Sequence, residues 1–308
     1  MSPYAYKVPV SKQVRVIINT DAKNEADDQF AIVHGLLTPK FSIEGLIGAH
    51  FGTQRTDRSM EESYQEILHI LDIMGLSERV PVFRGAPNRL PDPNTPVPSP
   101  GAKALIAQAH REDPRPLFAL FLGPLTDMAS AYLMDPSIAE KVTCIWIGGG
   151  PWPNGGNEFN LSNDIHAANV VLQSGISVWQ VPQNVYTMMR VSMAELQLKV
   201  QPYGEIGGYL FQQMADFNMA MSDRPGWPSG ESWTLGDSPA IGLLLDEHWF
   251  SYDLMPIPYI DDKMHYLPLQ PAGKTLRVYR TIDSRYILED FFSKLALSFP
   301  RDHTIPSR

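Results

Sequence analysis

Cysteine is nearly absent from this chain, which has 308 residues and a single thiol at Cys144. Cys144 lies inside the apolar run VTCIWIGGG, so we predict a buried structural thiol, and an internal disulfide is excluded. Long apolar runs are also missing, since none reaches the about 18 residues that cross a membrane. The first residues, MSPYAYKVPVSKQ, lack the apolar core of a signal peptide. These absences predict a cytoplasmic protein without a transmembrane segment.

Positive charge is scarce as well. The chain carries 25 Lys and Arg against 34 Asp and Glu, which gives a formal net charge of −9 and a pI near 5.3. Phosphate backbones and anionic lipids repel such a protein, so neither nucleic acid nor a membrane is expected as a partner. The hydrophobic content of 44% indicates a globular protein with a large core.

Three motifs of familiar enzyme classes do not occur in the sequence. No G-x-S-x-G places a serine at a nucleophile elbow. The phosphate-binding P-loop and the dinucleotide fingerprint G-x-G-x-x-G are also missing. The sequence therefore gives no support to serine-nucleophile, P-loop or dinucleotide chemistry.

Short apolar runs alternate with helical patterns over the first 180 residues. Strands are predicted over Arg15–Thr20, Ser42–Ala49, Val80–Arg84, Leu117–Leu122, Val142–Gly148 and Ser177–Val181. Helices are predicted between them over Asp27–Leu37, Thr56–Met74, Gly101–Arg111, Thr126–Met134 and Ile165–Ser174. This alternation predicts an α/β fold, a Rossmann-like open structure with a mostly parallel central sheet flanked by helices on both faces. Ligands of such sheets bind outside the carboxyl ends of the strands.

The pattern becomes less regular after residue 182. Extra helices are predicted near Ser192–Lys199, Gly204–Met221, Pro239–Leu245 and Ser284–Leu295, with short strands between residues 253 and 282. The proline-rich stretch Pro87–Pro100 is interpreted as a surface loop rather than a linker, because the alternation resumes after it. We therefore expect a single domain over residues 1–308.

Three aspartates crowd the junction of the first strand and the first helix, in the stretch NTDAKNEADDQF. One of Asp21, Asp27 and Asp28 could cap the helix, since carboxylates are favoured at helix N-termini. Three carboxylates are better explained by a hard cation with oxygen ligands or by a polar substrate. The spacing and closing glutamate of an EF-hand loop are missing, which excludes that class of calcium site.

Other polar segments also follow predicted strands. In FLGPLTD, Thr126 or Asp127 could begin a helix, or a backbone carbonyl could point toward the same site as Asp21. The stretch GGGPWPNGGNEFN is either a surface loop or a set of amide and carboxylate groups for a polyhydroxylated ligand. Asp237 precedes a predicted helix and could be its N-cap. His50 ends a predicted strand, where either a structural or a functional role is possible.

Taken in order, these segments resemble the inosine–uridine-type nucleoside hydrolase family. That family opens with D-x-D-P-G-x-D-D, which holds a calcium ion, and its counterpart here is NTDAKNEADD. The later matching segments are LGPLTDMASAYLMDPSIAEKV, GNEFNLSNDIHAANVVLQSGISVWQVPQNV and LGDSPAIGLLLDE. Two more, VPVFRGAPNRL and DSRYILEDFFSKL, extend the resemblance to nearly the whole chain.

The resemblance implies calcium-dependent hydrolysis of the N-glycosidic bond of ribonucleosides, with ribose and free base as products and a part in purine and pyrimidine salvage. The partner implied is a small ribosyl substrate, and the assembly implied is a homodimer or homotetramer. The calcium ligands implied are Asp21, Asp28, the Thr126 carbonyl and Asp237. The cofactor is therefore expected to be Ca²⁺.

The resemblance also assigns roles toward the substrate. Asp21 is the expected base for the attacking water. Asp27 is expected to bind the ribose 2′-hydroxyl. The remaining expected substrate contacts are Asn157, Glu158, Asn160, Asp237 and His50.

The chain departs from the family pattern at three positions. The loop Ala22–Ala26, between Asp21 and the pair Asp27 and Asp28, is two residues longer than the corresponding loop of the family pattern. Asn19 stands where the family has its first aspartate. Gly236 stands where one branch carries a histidine that assists the departing base.

This last departure leaves several alternatives for the leaving base. Another group could protonate it, the candidates being His50, His166, Glu231 and Trp233. The base could leave unaided, or the substrate could be a different or modified riboside. The chain could also be a non-catalytic ribosyl-binding protein that keeps the calcium site.

Overall fold

An eight-stranded sheet forms the centre of the computed structural model, which describes residues 3–246, 250–269 and 273–301. From one edge to the other its strands are Val82–Arg84 (β3), Phe41–Gly48 (β2), Val14–Thr20 (β1), Leu117–Phe121 (β4), Thr143–Ile147 (β5), Ser177–Val181 (β6), Thr275–Tyr279 (β12) and Tyr252–Pro256 (β9). All neighbours pair in parallel except β12 and β9, which are antiparallel.

Two small antiparallel sheets lie outside the main one. They pair Arg190–Ser192 (β7) with Ser232–Thr234 (β8), and Pro258–Ile260 (β10) with Tyr266–Pro268 (β11). The first pair matters for function, because β8 leads directly into Gly236 and Asp237.

Helices connect the strands. They are Asp28–Leu37 (α1), Ser59–Ile73 (α2), Pro100–His110 (α3), Thr126–Met134 (α4), Phe159–Asn163 (α5), Ile165–Ser174 (α6), Gln183–Tyr186 (α7), Met193–Lys199 (α8), Gly204–Ala220 (α9), Ser238–Leu245 (α10) and Ser284–Ser298 (α11), with 3-10 turns at Val10–Lys12 and Pro136–Ile138. Within the described residues, no helix is both long enough and apolar enough to cross a bilayer.

Each face of the sheet has its own hydrophobic core, because successive side chains of a strand point to opposite faces. In β1, Val16 and Ile18 belong to one core and Ile17 to the other. Helices α1, α2 and α9 to α11 pack on the first face, and α3, α4 and α6 on the second. All seven residues of β1 are buried, as expected for a central parallel strand. The predicted mostly parallel sheet with helices on both faces is confirmed.

The structure differs from the expectation in the segment that ends at Asn160. This stretch was interpreted either as a surface loop or as a set of ligand-binding groups, and its last two residues in fact begin a helix, because α5 starts at Phe159. The helix forms because the Glu158 side chain accepts hydrogen bonds from the backbone amides of Asn160 and Leu161, which satisfies two donors at the helix start.

Candidate active site

A polar pocket opens at the carboxyl ends of β1, β4, β5 and β6. Its lining comprises Asp21, Asn24, Glu25, Asp27, Asp28, Leu122, Ile147, Glu158, Phe159, Asn160, Tyr186, Gly236 and Asp237. Six of these residues carry a carboxylate, and no Lys, Arg or His lines the pocket among the residues that the structure describes. The pocket is therefore strongly acidic, and it lies where open parallel sheets bind ligands.

Asp21 is delivered to the pocket by the end of β1. The backbone amide of Asn24 donates to the Asp21 carbonyl at 2.8 Å, which closes a turn. Gly123 lies so close that a Cβ there would be 2.7 Å from Asp21 Oδ1, so this approach requires glycine. Asp21 Oδ2 is buried and has no hydrogen-bond partner within the described part of the chain. Such an unsatisfied buried oxygen is costly unless a ligand completes it.

Asp27 and Asp28 stand at the start of α1, but they do not cap it. Asp27 occupies the N-cap position without a side-chain capping bond. Its Oδ2 accepts instead from the Gly236 amide at 2.9 Å, and Asp28 Oδ1 accepts from the Thr20 hydroxyl. The capping interpretation therefore does not explain this pair of carboxylates.

Asp237 completes the group from the start of α10, where it also makes no side-chain capping bond. Asp27, Asp28 and Asp237 each offer an oxygen within 4.8 Å of the others. The carboxyl groups of Asp28 and Asp237 lie within hydrogen-bonding reach of each other, which requires a shared proton or a cation between them.

Crowding and burial disfavour negative charge at these positions. Burial, then the neighbouring Asp28 carboxylate, raises the pKa of Asp21 and of Asp237 well above the usual range. Burial, then Glu25, does the same to the pKa of Asp27. Burial raises the pKa of Asp28 to about 6. A bound cation would relieve this repulsion and keep the group ionised.

The donor set fits a hard divalent cation such as calcium. The unsatisfied Asp21 oxygen and the converging oxygens of Asp28 and Asp237 are carboxylate donors, the type that calcium prefers. Imidazole and thiolate ligands, which favour zinc or copper, do not occur in the described lining.

Glu158 and Asn160 form the opposite wall, and both are fixed by the backbone. Glu158 accepts from the Gly149, Asn160 and Leu161 amides and from the Tyr186 hydroxyl, at 2.8 to 3.1 Å. The Asn160 side-chain amide donates to the carbonyls of Leu122 at 2.6 Å and Ile147 at 2.9 Å. Both hydrogens of that amide are thus used, so Asn160 Oδ1 is left as an acceptor.

Three residues predicted for the site do not line this pocket: His50, Thr126 and Asn157. His50 and Thr126 are buried and belong to a hydrogen-bonded chain in which the Thr126 hydroxyl joins His50 Nε2 at 2.8 Å to Asp164 at 2.7 Å. Burial, then Arg89, lowers the pKa of His50 to about 4, so its ring is neutral at pH 7. Asn157 is exposed.

None of the four candidates for protonating the base lies in the pocket lining, namely His50, His166, Glu231 and Trp233. Trp233 is buried and belongs to a hydrophobic core, together with Leu235. Gly236 precedes Asp237, and no other residue of the described lining supplies an imidazole in place of the missing histidine.

The lengthened loop contributes Asn24 and Glu25 to the pocket. Arg55 holds Asn24 through its backbone and side-chain oxygens, and Gln213 donates to the Ala26 carbonyl at 2.8 Å. Burial, then Asp28, raises the pKa of Glu25 to about 7. The insertion is therefore a wall of the pocket that two other segments fix in place.

Tyr186 was missed in the sequence, although its position shortly after β6 is a strand-end position that could have indicated it. A Cβ at Gly236 would lie 3.1 Å from Tyr186 Cδ2 and 3.3 Å from Asp27 Oδ2. The Tyr186 ring therefore occupies the space next to position 236, and a side chain there would crowd it.

Comparisons with known proteins show similarity to nucleoside hydrolases and nucleosidases. A family model described as inosine-uridine preferring nucleoside hydrolase matches residues 16–284. Uridine nucleosidase 1 of Arabidopsis thaliana is 31% identical over 214 residues, which is 61% of each protein. The match thus spans about three fifths of that relative's length. The pyrimidine-specific ribonucleoside hydrolase RihA of Salmonella arizonae is 25% identical over 65% of this chain and 70% of its own.

The fold has a similar counterpart among solved structures. The purine-preferring ribonucleoside hydrolase from Gardnerella vaginalis superposes with a TM-score of 0.76 and 19% identity, over 92% of this chain and 99% of the other. At this identity the likeness concerns the fold alone. It supports the mostly parallel sheet described above.

Proposed function

The chain belongs to the inosine-uridine preferring nucleoside hydrolase family, and from this premise we propose that it hydrolyses the N-glycosidic bond of ribonucleosides. The products are ribose and the free base. The family membership that the motifs indicated is thus confirmed. The observation that carries it is the convergence of the Asp27, Asp28 and Asp237 carboxylates in a pocket that Asp21 also lines and whose described lining has no cationic side chain.

Asp21 is proposed as the base that accepts a proton from the attacking water. Its Oδ2 has no partner among the described residues, so a lone pair is available in the pocket. A carboxylate within hydrogen-bonding distance of a water molecule can take its proton as the oxygen attacks the anomeric carbon. The adjacent carboxylates stabilise the oxocarbenium-like charge on the sugar.

Asp21, Asp28 and Asp237 are proposed to hold Ca²⁺, with the Thr126 carbonyl as the further ligand that the resemblance implies. When bound, the ion supplies Lewis acidity that makes a water molecule easier to deprotonate. These three side chains are themselves held in position by β1, α1 and α10.

The sugar is proposed to lie between the two walls of the pocket. Asp27 accepts the 2′-hydroxyl with the oxygen that Gly236 does not use. Asn160 Oδ1 is proposed to accept another hydroxyl. Because both amide hydrogens of Asn160 are fixed, its oxygen is preorganised for this contact. Glu158, Asn157 and Asp237 stay the further sugar contacts that the resemblance implies, but Glu158 already accepts four hydrogen bonds and Asn157 does not line the pocket.

Release of ribose from a panel of uridine, inosine, cytidine and adenosine tests the proposal. We expect turnover with added Ca²⁺, loss of turnover with a chelator, and recovery when Ca²⁺ is restored. Ribose binding without release from any nucleoside would instead support the ribosyl-binding alternative. Absence of divalent-ion binding in calorimetry would contradict both.

Three further properties stay predictions. A homodimer or homotetramer is checked by light scattering, a single folding unit over residues 1–308 by limited proteolysis, and a cytoplasmic location by fractionation. A part in purine and pyrimidine salvage follows only if the nucleoside panel is hydrolysed.

A further inference from the structure

The pocket holds more negative charge than one divalent ion can offset. Six carboxylates line it, whereas a calcium ion neutralises two charges. Lys23 pairs with Glu66 at 2.8 Å. Arg55, which binds Asn24, and Arg224 do not line the pocket, although both attract the Glu25 carboxylate. Glu25 carries the carboxylate of the insertion and has no ion-pair partner within the described residues. A net negative charge therefore remains where the ligand binds.

Two aromatic rings line the same pocket. Phe159 and Tyr186 are both half-buried. Aromatic rings attract cations that lie over their faces, and this attraction grows when the site excludes water. Carboxylates and aromatic rings together are the usual surroundings of a bound organic cation.

The described lining holds no imidazole, so a proton for a leaving base would have to come from a carboxyl such as that of Glu25, whose pKa burial raises to about 7. Gly236 has no side chain, and the Tyr186 hydroxyl already donates to Glu158 at 3.0 Å. The other polar residues of the described lining are carboxylates and the amides Asn24 and Asn160. A neutral nucleobase leaves as an anion unless it is protonated, whereas a cationic heterocycle leaves as a neutral molecule.

Resting on the riboside hydrolysis proposed above, we propose that the preferred substrate is an N-riboside whose leaving heterocycle carries a fixed positive charge, of the pyridinium class. The water oxygen forms a bond to C1′ as the bond from C1′ to the ring nitrogen breaks. Both electrons of that bond go to the nitrogen, which becomes neutral, and the water proton goes to Asp21. No proton has to reach the leaving ring.

Charge selection is first tested by binding, so that the higher intrinsic reactivity of pyridinium ribosides does not interfere. The probes are 1-methylnicotinamide, a cation, and nicotinamide, its neutral counterpart, titrated into the calcium-loaded protein with ribose present. We expect the cation to bind at least about tenfold more tightly. Equal binding of the two probes would overturn the inference.

Turnover is then compared between nicotinamide riboside, uridine and inosine. We expect kcat/KM for the cationic riboside to exceed both others by about 100-fold. Faster hydrolysis of uridine or inosine would overturn the inference and leave the proposed hydrolase function intact. If no riboside of any charge is hydrolysed, the proposed function fails, and the binding comparison still decides the charge preference.

Glu25→Gln separates charge selection from a rival role for Glu25 as a proton donor. On our proposal the ratio of kcat/KM for nicotinamide riboside to that for uridine falls about tenfold. A proton donor would instead be needed most by uridine, so the ratio would rise, which contradicts the inference. Glu78→Gln, which removes an exposed carboxylate outside the pocket, is the matched control and should leave the ratio unchanged.

Discussion

Two groups of buried carboxylates lie near the same edge of the sheet, and they differ in how their oxygens are satisfied. Asp127 accepts from the Asn19 amide at 2.9 Å, the Ala86 amide at 2.9 Å and the Ser99 hydroxyl at 2.6 Å. Asp21, in contrast, has an oxygen without any partner in the described chain. The first arrangement stabilises the fold, and the second is suited to a ligand.

The same contrast separates Asp164 from Asp237, although both precede a helix. Asp164 accepts from the Leu90 and Ala167 amides and from the Thr126 hydroxyl. Asp237 makes no capping bond and faces other carboxylates. Position before a helix therefore does not distinguish a structural aspartate from a functional one. The donors that surround each carboxylate do.

The largest effect that we expect is the loss of ribose release when the carboxylate with the unsatisfied oxygen, Asp21, is changed. Asp21→Asn removes the proposed base and one calcium ligand, so we expect kcat for ribose release to fall by about 10³-fold or more. The same change removes charge repulsion, so the metal-free variant should unfold at a higher temperature than the parent protein. Asp72→Asn, at an exposed position of α2, is the control. Undiminished ribose release by Asp21→Asn would refute its role as the base.

The opposite change in stability is expected at Asp127. Asp127→Ala leaves three buried donors without an acceptor, so the free energy of unfolding should fall by about 3 kcal/mol. Urea denaturation of the metal-free protein measures this, with Asp72→Ala for comparison. A variant as stable as the parent would show that the Asp127 hydrogen bonds do not support the fold.

The stability of the metal-free protein should also depend on pH through the carboxyl group of Asp28. The pKa of Asp28 is about 6 in the folded protein, against an ordinary 3.8, so the folded state holds this proton more tightly than the unfolded chain. Its contribution is therefore fully present below pH 3.8 and is lost as the pH rises through 6, by about 3 kcal/mol in all. The measurement is the melting temperature of chelated protein between pH 4 and 7.5.

Two comparisons complete that experiment. Asp28→Asn should flatten the dependence relative to the parent protein, because the titrating group is gone. Saturating Ca²⁺ should stabilise the protein most at the higher pH, where the carboxylates are ionised. The attribution to Asp28 would be wrong if the parent and Asp28→Asn showed the same slope.

The smallest expected effect concerns the wall opposite the aspartates. Tyr186→Phe removes the hydroxyl that donates to Glu158, which costs about 1 kcal/mol. We expect the KM for a riboside to change severalfold with little change in kcat, because Glu158 is proposed to bind the sugar. A large loss of kcat at constant KM would instead place the Tyr186 hydroxyl in the chemical step.

Much of the fold could be predicted from the sequence. The strand Ser177–Val181 and the helices Thr126–Met134 and Ile165–Ser174 have the predicted bounds, because buried parallel strands are continuous apolar runs and helices alternate with them. A site at the end of the first strand could also be predicted, because the carboxyl ends of parallel strands meet at one edge of the sheet and Asp21, Asp27 and Asp28 follow that strand.

The rest depends on contacts between distant segments. Asp21 and Asp127 look alike in the sequence, and only the donors from Asn19, Ala86 and Ser99 separate them. His50 could be assigned to substrate or to structure until its bond to Thr126 was seen. Such bonds join residues 28 to 108 positions apart, which local patterns cannot indicate.

A crystal structure of the protein soaked with Ca²⁺ and ribose tests the central claim most directly, namely that the unsatisfied carboxylates share one cation and one sugar. We predict a single ion bonded to Asp21, Asp28 and Asp237, with the ribose diol beside it and the 2′-hydroxyl on Asp27. Density for an ion and sugar elsewhere, or an empty pocket at saturating concentrations, would contradict the account.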